Sequence, residues 1–187
     1  MKLAAGALAI ALCAVAPEAL ATTIIKDPHP PKYSVEIEPH LSINASTFND
    51  WGYWGFGPGV RFGIPIAGPA FIPKINDSVA ISFGAELLRS YRKFCGADTC
   101  DDRGYWGLFV PVALQWNFWL TDKWSAFGEP GLVVRTAFEG CSKSQGCGGP
   151  PVYFAGWVGA RYHFSDTVSL TMRVGFPTGF SIGVSFF

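Results

Sequence analysis

Hydrophobic and polar residues alternate without a break from Tyr33 to Asn44. Tyr33, Val35, Ile37, Pro39, Leu41 and Ile43 take one set of positions, and Ser34, Glu36, Glu38, His40, Ser42 and Asn44 take the other. A period of two sends successive side chains to opposite faces of a strand, and no helix produces it. Near the other end, Val168, Leu170, Met172, Val174 and Phe176 alternate in the same way with Thr167, Ser169, Thr171, Arg173 and Gly175. Six further segments, 54–66, 78–88, 105–118, 123–135, 152–163 and 180–187, are bounded by Gly, Pro, Asn, Asp or Ser and read as strands. The pattern predicts an all-β fold, an eight-stranded antiparallel up-and-down barrel.

These lengths meet or approach the ~9–11 residues a tilted strand needs to cross a hydrocarbon layer, and eight strands make the smallest common transmembrane barrel. Connections 45–53, 89–104 and 136–151 are long and fall at one end, whereas 119–122 and 164–166 are short and fall at the other. Two connections depart from that rule: 67–77 is long at the short-turn end, and Pro177-Thr178-Gly179 is short at the long-loop end. Alternation alone leaves open whether the apolar face looks outward at lipid or inward at a ligand, as in a soluble lipocalin-like barrel. Aromatic residues favour lipid. Trp51, Tyr53, Trp54, Tyr105 and Trp106 cluster toward one rim, and Phe118, Trp119, Trp124 and Phe164 toward the other, the two girdles a bilayer selects. Glycines 57, 59, 63, 84, 107, 131, 159, 175 and 183 share the polar face, which suits a narrow, filled interior.

The N-terminus changes the picture by adding export. Lys2 precedes an apolar stretch from Leu3 to Ala16, Pro17 and Glu18 end it, and Ala19-Leu20-Ala21 follows, which reads as a signal peptide at 1–21. A periplasmic arm is expected at 22–32 and the barrel domain at 33–187. Fourteen acidic residues balance fourteen basic ones, so the charge footprint of a nucleic-acid binder is missing. Cys13 leaves with the signal peptide. The remaining four cysteines form two local pairs, Cys95 with Cys100 and Cys141 with Cys147, which in an oxidising compartment read as disulfides. Neither pair has zinc-knuckle spacing or a His companion, and no metal or cofactor is expected.

The chain closes on Phe186-Phe187, and Gly159-Ala160-Arg161-Tyr162-His163-Phe164-Ser165-Asp166 leads into Val168-Ser169-Leu170. In this ending and this hairpin the sequence resembles small outer-membrane β-barrel proteins of the OmpA-like or porin-like type, whose last strand finishes in Phe as an assembly signal. The alternation Phe180, Ile182, Val184, Phe186 leaves Phe187 out of phase with the lipid face. The resemblance implies a bacterial outer-membrane location and contact with lipopolysaccharide, phospholipid and the outer-membrane assembly machinery. It also implies a structural or surface-presenting role, with external loops open to a ligand of unspecified chemistry. A small-solute channel is the alternative, and a lipid A-modifying enzyme is the second.

Charge on the polar face bears on those alternatives. Glu36, Glu38, Glu86 and Glu129 face Arg61, Arg135, Arg161 and Arg173 there, four against four. Buried charges are costly unless paired, so a lumenal plug of ion pairs is expected, with a gated pathway of exchanging pairs as its rival. His163 with Ser165 resembles the His-x-Ser arrangement of outer-membrane lipid A deacylases, but no acidic residue follows Asp166 to complete a triad. No catalytic residue is assigned.

Overall fold

A computed structural model describes residues 33–46, 53–68, 76–95, 100–138 and 152–187. The expected signal peptide at 1–21, the expected arm at 22–32, Trp51 and the Cys141–Cys147 pair lie outside these residues. Eight strands follow in chain order: β1 (Glu36–Ser46), β2 (Tyr53–Ala67), β3 (Asp77–Cys95), β4 (Cys100–Trp119), β5 (Trp124–Phe138), β6 (Val152–Ser165), β7 (Val168–Phe176) and β8 (Gly179–Phe186). Each pairs antiparallel with its neighbour, and β1 pairs with β8, so the sheet closes into a barrel without edges.

The first strand decides which face is wet. Glu36, Glu38, His40 and Ser42 are 2, 1, 5 and 0% exposed, while Ile37, Leu41 and Ile43 are 43, 62 and 54% exposed. The polar set is therefore the interior and the apolar set the outer wall, the reverse of a soluble ligand-binding barrel. The other strands repeat the arrangement, with exposed Ile64, Phe83, Val112, Leu132, Val158, Val174 and Ile182 on the outside. So large an apolar girdle is stable only against hydrocarbon. Inside, glycine lets backbones and long side chains share a narrow space: a Cβ at Gly59 would run into His40 Nε2 and Glu86 Cγ.

Strands β3 and β4 run well past the expected limits of 88 and 105. Their ladder continues through Arg89↔Trp106 and Tyr91↔Gly104 to Cys95↔Cys100. Most of the expected loop 89–104 is thus a hairpin. Its rising charge, which reads as a strand end, reflects only that a strand needs no apolar face once it rises above the hydrocarbon.

The girdles also differ from expectation. Trp54 and Trp124 face outward, as do Trp106 and Phe118, and Trp124 meets Tyr162 edge-on at 5.0 Å between ring centroids. Tyr105 and Trp119 do not belong to the girdles, because both are buried inside the barrel at 5% and 3% exposure. Their parity explains it: Tyr105 shares its face with Gly107 and Phe109, and Trp119 shares its face with Gln115 and Asn117.

The exceptional short connection has a structural cause. Pro177-Thr178 turns directly from β7 into β8, Gly179 adopts φ +73°, and Thr178 is buried, accepting a hydrogen bond from Trp157 Nε1 at 3.0 Å. The turn is tucked against Trp157 instead of reaching into solvent. At the end where β1 begins and β8 finishes, the terminal end of the barrel wall, Phe187 lies just beyond β8. Its ring packs on His163 at 5.6 Å and against Tyr33 at 4.8 Å, which accounts for its phase.

Candidate functional site

The interior at mid-height holds a ring of alternating charges, each member supplied by an inward position of a different strand or turn of alternation. Glu129 on β5 is its hub: Oε2 accepts from Arg61 Nη1 at 3.1 Å and from Arg173 Nε at 2.9 Å. Oε1 of the same carboxylate accepts from Gln115 Nε2 at 2.6 Å and Arg173 Nη2 at 3.3 Å. Arg173 also grips Glu38 with two parallel bonds of 2.7 and 2.9 Å, the fork geometry that makes such pairs strong. Arg61 Nη2 reaches Glu86 at 3.1 Å, and Ser42 Oγ donates to the same residue at 3.3 Å.

His40 closes the ring. Its Nε2 lies 3.6 Å from Glu86 and its Nδ1 lies 3.8 Å from a Glu38 carboxylate oxygen and 3.2 Å from the Glu38 carbonyl. A separate pair sits nearer the terminal end, where Arg161 Nη2 reaches Glu36 at 2.9 Å and Nη1 donates to Asn117 at 2.7 Å. Glu36 and Glu38, neighbours on one face of β1, are therefore each matched to an arginine of their own. Aromatic faces complete the surroundings: Arg61 lies 4.3 Å from the Trp157 ring, and Arg161 lies 4.3 Å from that of Phe127.

Arg135 is absent from this ring. It points inward farther toward the loop end, over the rings of Tyr105 and Phe109 at 5.9 Å each, and no described carboxylate pairs with it. The four-to-four count is thus three arginines and four glutamates in the network, with the imidazole of His40 in the remaining place. Sequence reasoning also passed over Gln115 and Asn117, although both have inward parity on β4. A count restricted to charges has no place for an amide that donates to a buried carboxylate.

Little space remains. The gap among Glu36, Glu38, Arg61, Gln115 and Arg173 does not admit a water molecule. Toward the loop end the ring is followed by an apolar layer of Leu88, Phe109 and Val133, against which Tyr153 and Ala155 pack.

The His163–Ser165 arrangement does not form. A register shift in the β6–β7 ladder intervenes between the two residues, leaving Ser165 exposed with its Oγ 3.2 Å from Thr167 Oγ1. His163 instead points inward, and its Nε2 lies 2.9 Å from Ser125 Oγ, a buried partner on β5 that the sequence did not single out. Ser125 has inward parity beside Phe127, which is the signal that was there to find.

A match among solved structures is the outer membrane protein OprG from Pseudomonas aeruginosa, with a TM-score of 0.52 at 11% identity over 86% of this chain and 98% of that one. The fold is that of the small outer-membrane β-barrels. The attachment invasion locus protein Ail of Yersinia pestis, solved with the heparin analogue sucrose octasulfate, aligns over 82% of this chain and 96% of its own at 13% identity and a TM-score of 0.47. No protein-family model and no curated protein matches the sequence.

Proposed function

We propose that the chain is an integral outer-membrane barrel whose lumen is sealed, and that it serves as a structural scaffold presenting its loop-end hairpins at the cell surface. The observation that carries this reading is the ring through Glu38, Arg173, Glu129, Arg61, Glu86 and His40, whose side chains are all at most 2% exposed. A conducting pore needs a continuous aqueous path, and here paired charges fill the cross-section with an apolar layer stacked on them. Opening such a path would separate buried ion pairs, at about 3–5 kcal/mol for each charge stripped of its partner.

The apolar outer wall and the fold shared with outer-membrane barrels support the location, with the termini and the 120–123 turn on the periplasmic side. That orientation sends the β3–β4 hairpin outward. The register pair Cys95↔Cys100 sits at its tip, and directly opposed strand positions lie within the span a disulfide bridges. We read this pair, and Cys141 with Cys147, as staples of surface elements. Catalysis has no geometric support at His163, because its serine partner Ser125 is buried inside the wall where no lipid ester reaches it.

Planar-bilayer recording tests the reading. Reconstituted protein is expected to leave the membrane non-conducting, and discrete channel openings from the unmodified barrel would overturn the sealed lumen in favour of a small-solute channel.

A further inference from the structure

The outer wall is apolar through the hydrocarbon band, and an outward arginine at its upper edge stands where headgroups can reach it. Arg89 is such a residue: Leu88 and Ser90 on either side of it are buried inside the barrel, so its own side chain leaves through the wall. It stands twelve positions along β3 from Asp77, which pairs with Phe118 of the terminal-end girdle. At about 3.3 Å per residue and a tilt of about 40°, that places Arg89 about 30 Å higher, just above a hydrocarbon band about 25 Å tall. Its level is therefore the far headgroup boundary, where lipid phosphates lie.

The side chain does not wave freely there. Its guanidinium carbon lies 5.4 Å from the Trp106 ring centre and 5.8 Å from that of Tyr91, and Tyr91 is itself backed by Trp54 in a stack at 4.4 Å. Beneath it is Gly104, where an added Cβ would stand 3.0 Å from both Nε and Nη2. The missing side chain at 104 is what lets the planar head rest against β4. None of the described side chains offers Arg89 a carboxylate, and the two rings and Gly104 hold its head against the outer face of the hairpin. A rigidly held guanidinium at headgroup depth matches the chemistry of a phosphate, which it binds through paired charge-assisted hydrogen bonds.

We propose that Arg89, walled by Tyr91 and Trp106 and bedded on Gly104, is a binding site for the phosphate of a phosphorylated glycolipid in the outer leaflet. The inference rests on the membrane orientation given under the proposed function. It adds a specific lipid contact that a sealed scaffold does not require.

The test uses the full-length mature barrel folded in non-ionic detergent, with a heat-modifiable gel band checked first. Absence of that band would overturn the barrel reading and this site with it. Folded protein is then titrated with lipopolysaccharide, with the same lipid after enzymatic removal of its phosphates, and with inorganic phosphate. The expected result is a tenfold or greater preference for the phosphorylated lipid. Arg89→Gln should lose that preference, Gly104→Ala should weaken it with the charge still present, and Lys123→Gln at the opposite end should keep it. Equal binding of the phosphorylated and dephosphorylated lipids, or an unaltered preference in Arg89→Gln, would overturn the proposal. Competition by inorganic phosphate alone at matching strength would also overturn it, by showing a general anion site in place of a lipid site.

Discussion

Glu129→Gln is the sharpest probe of the lumen because the substitution keeps shape and changes one thing. All four polar contacts of the carboxylate are made by donors: Arg61 and Arg173 on Oε2, Gln115 and Arg173 on Oε1. A carboxamide presents an acceptor at one end only. Whichever way it is turned, two donors meet an NH2 group, either those of Arg61 and Arg173 or those of Gln115 and Arg173. Each buried donor left unmatched costs about 1–3 kcal/mol, so the variant should lose roughly 2–6 kcal/mol. That brackets the about 3–5 kcal/mol known for stripping one partner from a buried ion pair. Equilibrium urea unfolding of the barrel in lipid vesicles, followed by tryptophan fluorescence and by heat-modifiable mobility, measures it. The hub carboxylate is fully enclosed, so added salt should change the loss little. A loss below about 1 kcal/mol, or one that disappears at high salt, would refute the argument that the ring is a desolvated structural plug.

Other positions test separate parts of the description. Thr178→Val removes the acceptor of Trp157 Nε1 and should cost about 1–3 kcal/mol in the same unfolding assay, with no gain of conductance. Gly59→Ala would press a methyl group into His40 and Glu86, and a loss of about 1–3 kcal/mol together with a lower folded yield is expected. Non-reducing peptide mapping of exported protein should recover Cys95 linked to Cys100 and Cys141 linked to Cys147, and free thiols at all four would dismiss the staples. Tyr33, just ahead of β1, has its phenol pushed up to about 12 by burial and by the nearby charge of Glu36. The stability this gives is full below the ordinary tyrosine value of 10.0, and it falls as pH rises through about 12. Tyr33→Phe should remove that alkaline component, visible as a smaller drop in the unfolding midpoint above pH 10.

Much of the fold was legible because a membrane barrel writes its two environments into alternate residues. Glu36, Glu38, Arg61, Glu86, Glu129, Arg161 and Arg173 all have the parity that sends them inward, and the register brings them together. What parity leaves out is the third dimension. It assigns Arg135 to the interior but not to a height, and height separates it from the glutamates. It assigns Tyr105 and Trp119 to the interior as well, although their aromatic character beside the strand ends draws them into an expected girdle. Proximity in sequence likewise says nothing of the partner His163 takes, since the pairing that forms runs across the β5–β6 ladder to Ser125. The strand ends of β3 and β4 were illegible for another reason: hydropathy tracks the bilayer, and the ladder continues beyond it.

A polar lumen also suits the export route that the proposed function requires. A signal peptide sends a chain through the inner membrane and into water before it meets the outer one, and strands apolar on both faces would fail at each stage. Long uninterrupted apolar runs are held as helices in the first membrane, and two-faced apolar strands aggregate in the periplasm. Alternation holds the mean hydropathy to +0.25 even though the finished wall is apolar. The inner face must therefore be polar, and a barrel of eight strands is too narrow to hydrate it. Arginine–glutamate pairing meets both demands, being soluble when the chain is extended and mutually satisfied once the barrel closes. Closure brings Arg173 on β7 to Glu38 on β1, and Arg161 on β6 to Glu36 on β1. These bonds join opposite ends of the chain, so they form only when the last strands have found the first.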